Sequence, residues 1–207
     1  MTIAYEEIKN RLKTGDIVLF SGKYTMSKMV EKLEHSRWSH CGMVVRLPEY
    51  DEPLIYEATA LTNLEDLVHH DHITGPKVVN LLERLKTYGQ DVEPYEPPTY
   101  AVRLLDKPLP EADMDILNEL LKELHGLPNP DEKRMIFEVL VGRYLYIKTK
   151  MKDITCSGFI SYTYKKLGLL KSLKPINGYM PKDFSTDGHL NLKGVTLSNE
   201  IVIDIHT

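Results

Sequence analysis

The sequence predicts a mixed α+β domain, with helices packed on an antiparallel sheet. Three observations point there. Short apolar runs of strand length are bounded by turn residues, as in Ile17-Val18-Leu19-Phe20 before Ser21-Gly22. Longer stretches carry apolar residues at helical spacing and stop at glycine, as in Leu117, Leu120, Leu121 and Leu124 before Gly126. Neither an internal repeat nor a low-complexity tract interrupts them. The 207 residues suit one domain spanning 1–207.

In chain order, Tyr5 to Lys13 reads as a short amphipathic helix with Ile8 and Leu12 at i,i+4, broken by Gly15-Asp16. The strand 17–20 follows. Residues Thr25 to Leu33 return to helical spacing through Met26, Met29, Val30 and Leu33, with Met26 and Met29 read as core packing. Cys41 to Val45 is a β-branched strand, Pro48 to Pro53 a polar turn, and Leu54 to Ala58 the returning strand of a hairpin. Residues 60–98 are mostly polar and read as a loop-rich insertion, with Glu93 to Pro98 as loop. Tyr100 to Leu105 is a strand. A helical segment over 111–148 divides into Ala112–His125 and Asp131–Lys148. A third helix runs from Cys156 to Leu167, with Thr155 as N-cap and Gly168 as stop. The tail from Gly194 to Ile205 alternates like a last strand.

Composition excludes several classes. A net charge of −4 lacks the basic footprint of a nucleic-acid binder. Two cysteines, Cys41 and Cys156, rule out a disulfide scaffold. The N-terminal residues show no signal-peptide pattern, and no apolar run approaches the ~20 residues of a bilayer span. The expectation is a cytoplasmic protein without stable membrane insertion.

Chemistry centres on Cys156. At the first turn of a helix, the dipole and unpaired N–H groups favour the thiolate, which is the nucleophilic form. Phe159, Ile160, Thr163 and Leu167 would bury one face of that helix and fix the sulfur at its tip; Thr163 would then need a partner for its hydroxyl. A thiolate needs a base, and among eight histidines His40 is the best placed, at the start of a strand. Cys41 follows it directly, so its side chain points to the opposite sheet face and is read as core. If the hairpin centres near Pro48-Glu49, Glu57 lies across from His40; a centre nearer Pro53 keeps both on one face when the register shifts by an even count. A carboxylate there would hold the imidazole in one tautomer.

These residues also carry a resemblance. The run from Cys156 to Tyr164 (CSGFISYTY) resembles the nucleophile motif of the NlpC family of papain-like cysteine peptidases. Gly15 to Phe20 (GDIVLF) is similar to a second family block, Ser39 to Val44 (SHCGMV) to a third, and Ile55-Tyr56-Glu57-Ala58 to the strand bearing the third polar residue. The Cys block comes last, as in the circularly permuted branch that includes relatives of lecithin retinol acyltransferase. The resemblance implies a papain-like, circularly permuted fold. It makes Cys156 the nucleophile, His40 the general base and acid, Glu57 the residue orienting His40, and the Cys156 N–H part of an oxyanion hole. Thr155 stands where the family usually has Asp, and Glu57 where the unpermuted branch has His, Asn or Gln.

The expected activity is a cysteine hydrolase that cleaves an amide of a small peptide, such as a cell-wall-derived one, through a thioester. No cofactor is called for. The alternatives are a lipid acyltransferase or thioesterase with the same triad, which predicts an apolar cleft, and a non-catalytic binding module. A peptidase predicts charged groups near Cys156. Trp38, Ser39, Ser157 and Tyr179 are candidate substrate contacts, and the turn-rich segment Gly178 to Phe184 reads as ordinary loop beside the groove. The run His69-His70-Asp71-His72 is read as solvated loop, since adjacent histidines cannot easily all reach one ion.

Overall fold

The computed structural model describes residues 2–205 except Lys23, Pro94 and Glu96. The side chains of Thr25 and Met26 also lie outside the description, and with them the expected packing of Met26, as does part of the loop expected over 93–98. Seven strands form one mixed sheet in the order β1-β7-β6-β2-β3-β4-β5. They are β1 (Thr2–Ala4), β2 (Ile17–Ser21), β3 (His40–Val45), β4 (Leu54–Thr59), β5 (Gly75–Asn80), β6 (Thr99–Arg103) and β7 (Ile201–Asp204). Among the described residues only β1 and β7 pair in parallel. The helices are α1 (Tyr5–Ile8), α2 (Thr25–Glu34), α3 (Leu81–Thr87), α4 (Glu111–Glu123), α5 (Glu132–Tyr144) and α6 (Cys156–Lys166). The α+β expectation holds at this level.

Strand alternation divides the core into two layers. Leu19, Cys41, Met43 and Tyr56 point to the side covered by Phe159 and Ile160 of α6 and Leu120 of α4. Val18, Phe20, Val44 and Ile55 point to the other side, covered by Tyr5 and Ile8 of α1 and Leu85 of α3. Because both faces are covered, β3 and β4 are buried throughout, which is why they read as continuous apolar runs.

The segment 60–98 differs from its reading as a loop-rich insertion. It contributes β5 and α3, and Asn80 caps α3 by accepting the Glu83 N–H. Its sequence looks polar because Lys77 and Arg84 are both buried, at 1% and 0% exposure. Charged residues are rarely placed so, and hydropathy alone points the other way. The strand β1 was also not anticipated; three residues pair only with the parallel edge of β7. The first helix shortens to α1 and continues as a 3-10 turn over Lys9–Arg11. The expected helix 131–148 ends at Tyr144, with Asp131 accepting the Arg134 N–H as its cap.

Candidate active site

Helix α6 begins where the sequence places it. The Thr155 side chain accepts the Gly158 N–H at 3.0 Å, satisfying one donor of the first turn. Phe159, Ile160 and Tyr164 are fully buried, and the Phe159 ring meets Tyr56 edge-on at 4.4 Å. Thr163 is buried too, but its Oγ1 has no partner among the described residues, unlike the satisfied hydroxyl expected. The packing fixes the helix and leaves Cys156, half-buried, at its N-terminal tip.

The β3–β4 ladder pairs Met43 with Tyr56 and Val45 with Leu54. Continued outward, it sets Gly42 opposite Glu57 and His40 two residues further along the same face. The register therefore sits an even count from the Pro48-Glu49 centre, and the imidazole reaches the carboxylate diagonally. Gly42 keeps the path open: a Cβ there would meet Ile55 Cδ1 at 2.5 Å and Glu57 Cβ at 3.3 Å. His40 Nε2 lies 2.5 Å from Glu57 Oε2. The ring is held between Phe20, edge-on at 5.1 Å, and Tyr88, stacked at 5.8 Å. Nδ1 is thus the nitrogen left for Cys156.

Glu57 is fully buried, and its second oxygen takes the Arg84 Nε–H at 2.5 Å. Arg84 also donates to Asn63 Oδ1 at 3.0 Å, while its Nη2 has no partner among the described residues. Lys77 faces Glu57 across the β4–β5 ladder. Burial, then the Arg84 charge, pushes the Lys77 amine down, and its Nζ is unpaired among the described residues. Arg84 and Tyr88 are the site residues that sequence reasoning missed, because both fall in the segment read as loop.

The charges at the site are strongly coupled. For Cys156 the largest influence is a hydrogen bond with the Cys41 side chain; burial opposes it, and the His40 charge and hydrogen bond reinforce it. The net effect holds the thiol well below its ordinary value. Cys41, buried in the core as expected, is held well above by burial and by that same sulfur. Burial and the neighbouring Cys156 sulfur thus favour the protonated Cys41 thiol, an influence on Cys156 beyond the core reading. Burial alone would lower the His40 pKa, but the Cys156 charge and hydrogen bond, then Glu57, raise it to about 9. Burial would raise the Glu57 pKa, yet Arg84 and His40 bring it down to about 2. Near neutral pH the site is a thiolate–imidazolium pair braced by a carboxylate and a guanidinium.

The thiolate and imidazole open into a pocket of about 320 Å³. Its walls include Val30, Leu61, Ile136, Val139 and Met180, and no Asp, Glu, Lys or Arg lines it among the described residues. Asn129 contributes a carboxamide whose buried Oδ1 has no partner among the described residues.

The four candidate substrate contacts fare differently. Ser39 and Ser157 line the pocket, but their hydroxyls serve the backbone: Ser39 accepts the Gly22 N–H at 2.8 Å, and Ser157 donates to the Tyr179 carbonyl at 2.9 Å. Trp38 is a correction. It is 2% exposed and lies outside the pocket, its Nε1 donating to Glu200 at 3.0 Å, because the apolar ring packs into the α6-side core. Tyr179 is the second correction. Its side chain is buried away from the pocket under Lys174, and its carbonyl anchors α6. Of the segment read as ordinary loop, Met180 and Pro181 do line the pocket.

Against this geometry, the chain is similar in fold to a solved structure. That structure is the metalloprotein yiiX from Escherichia coli O157:H7 (DUF1105), with a TM-score of 0.52 and 17% identity over 94% of this chain and 98% of that one. At that identity the likeness concerns the fold alone. No family model matches the chain, and no curated protein does. Among the described residues no helix is long and apolar enough to cross a membrane.

Proposed function

We propose that this protein is a papain-like, circularly permuted thiol hydrolase or acyltransferase acting on a substrate with an apolar acyl group. The observation that carries the reading is the chain Cys156–His40–Glu57–Arg84 opening into a pocket that no Asp, Glu, Lys or Arg lines among the described residues. The Cys156 thiolate attacks the acyl carbonyl carbon, and negative charge moves to its oxygen. The N–H groups of the first turn of α6, which have no carbonyl one turn back, face that charge. The His40 imidazolium gives its proton to the leaving nitrogen, oxygen or sulfur as its bond to the acyl carbon breaks, leaving a thioester on Cys156. His40, now neutral, takes a proton from water or an acceptor alcohol or amine as it attacks the thioester. The product leaves, and thiolate and imidazolium are restored.

The apolar pocket favours this substrate class over a small charged peptide. A cell-wall peptide would bring carboxylates and an amine into the cleft, where, beyond Cys156 and His40, no ionic side chain meets them among the described residues. Asn129 Oδ1 suits an N–H or O–H donor near the scissile bond.

The test is turnover of acyl esters, thioesters and N-acyl amines of increasing chain length, beside γ-linked acidic dipeptides. The reading expects kcat/KM to rise with chain length, an acyl group trapped on Cys156, and at least ~10³-fold loss in Cys156→Ala. Faster cleavage of the acidic dipeptide overturns the substrate class. Turnover unchanged in Cys156→Ala, or ligand binding without any turnover, overturns the catalytic role.

A further inference from the structure

Away from the cleft, the fold brings together a buried carboxylate and two imidazoles from distant parts of the chain. Asp66 and His69 lie between β4 and β5, and His125 lies just after α4. One ligand atom from each falls within 4.8 Å of the others. Asp66 is 1% exposed, and its Oδ1 accepts the Val68 and Val78 N–H groups at 3.0 and 3.3 Å. That fixes the carboxylate and leaves Oδ2 for the cluster. Oδ2 is 2.9 Å from His69 Nδ1 and 3.8 Å from His125 Nδ1. The two rings lie face to face, with centroids 3.6 Å apart and planes 15° from parallel.

The decisive detail is the far side of His125. Its Nε2 sits 3.1 Å from Asp71 Oδ2. A neutral imidazole has one N–H, and the carboxylate claims it at Nε2. Nδ1 then presents a lone pair, and this buried atom has no hydrogen-bond partner among the described residues. A cation between that lone pair and the carboxylate would satisfy both, once one of the stacked rings turns to bring its in-plane lone pair onto the ion. An outer carboxylate that holds a histidine by one nitrogen while the other is free for a metal is a recurring arrangement in zinc sites.

We propose that Asp66, His69 and His125 bind one divalent transition-metal ion, with Asp71 positioning His125. Two imidazoles and a carboxylate suit zinc. The run 69–72 thus divides. His69 turns inward, while His70 pairs with Glu65 and His72 with the Thr62 carbonyl. The fourth metal position would fall to water.

The ion would clip the segment between β4 and β5 to the turn after α4. These segments already touch closely, since a Cβ at Gly75 would come within 2.0 Å of the Leu127 carbonyl oxygen. Because β5 pairs alongside Glu57, the clip would brace the strand behind the triad without entering the cleft.

The test uses full-length Cys156→Ser protein, so that the active-site thiolate cannot take the metal. After chelation and dialysis it is titrated with zinc by calorimetry and with cobalt by visible absorption. The proposal expects one equivalent bound with a Kd under about 1 μM and the intense d–d bands of a low-coordinate site. His69→Gln and His125→Gln should each weaken binding at least ~100-fold, and Asp71→Asn ~10–100-fold. His70→Gln should leave it unchanged. Long-range ¹H–¹⁵N spectra of the Cys156→Ser protein give a second readout that does not depend on how those variants fold. Zinc should shift the ring nitrogens of two histidines, at Nδ1 in both. Binding no tighter than about 100 μM, or equal weakening in His70→Gln, overturns the site. So does a spectrum in which His70 or His72 responds and His125 does not.

Discussion

Replacing Glu57 with Gln tests the electrostatic core of the site. The substitution keeps the shape of the side chain and removes a charge held between His40 and Arg84. The Glu57 carboxyl lies at about 2 instead of its ordinary 4.5, and it is fully buried. That difference corresponds to about 3 kcal/mol favouring the ionised, folded form. The size agrees with the ~3–5 kcal/mol lost when one partner of a buried ion pair is removed. The sign follows from the depressed pKa. The stabilisation is complete above pH 4.5 and disappears as pH falls through 2. It should therefore be about 3 kcal/mol at pH 7, about 2 at pH 3.5 and under about 1 at pH 2.5. Urea unfolding of both proteins at these three values measures it. A second consequence reaches the thiolate. With its counter-charge gone, the His40 imidazolium should lose its proton below the present value of about 9, so the alkaline limb of the pH–rate profile moves down. A Glu57→Gln destabilisation that stays the same from pH 7 to 2.5, with an unmoved alkaline limb, would refute the buried-carboxylate account.

Three further outcomes are expected. Iodoacetamide at pH 6 should modify Cys156 at least ~100-fold faster than Cys41 by peptide mapping, because one sulfur is held as thiolate and the other as buried thiol. Gly42→Ala should destabilise the fold by ~1–3 kcal/mol in chemical denaturation and lower kcat, since the new methyl strikes Ile55 and crowds Glu57; wild-type kcat would refute that clearance. Thr155→Ala should cost about 1 kcal/mol by removing the cap on Gly158, and thiol reactivity at pH 6 should fall with it as the tip of α6 frays.

The local grammar of this chain determined a good deal by itself. The stripe from Phe159 to Leu167 behind a capping Thr155 is enough to make a helix with Cys156 at its tip, because cap, periodicity and glycine stop agree. The runs at 17–20, 41–45 and 54–58 lie within observed strands for the same reason. Alternation likewise placed His40 and Glu57 on one face and Cys41 on the other, whatever the register, provided its shift was even.

Tertiary structure decided what local pattern does not encode. Arg84 and Lys77 look like solvent residues, yet both are buried; for Arg84 the reason is the fully enclosed carboxylate of Glu57, which makes a guanidinium beside it favourable. Trp38 and Tyr179 look like cleft walls, and both instead anchor the α6 side of the domain, since a large ring reaches the core as readily as a groove. That no Asp, Glu, Lys or Arg lines the pocket among the described residues is a property of seven separate segments meeting, and the approach of His125 to His69 and Asp66 likewise joins distant parts of the chain. Periodicity reports which way a side chain points from its own strand or helix; what waits there is set by elements that lie far away in the chain.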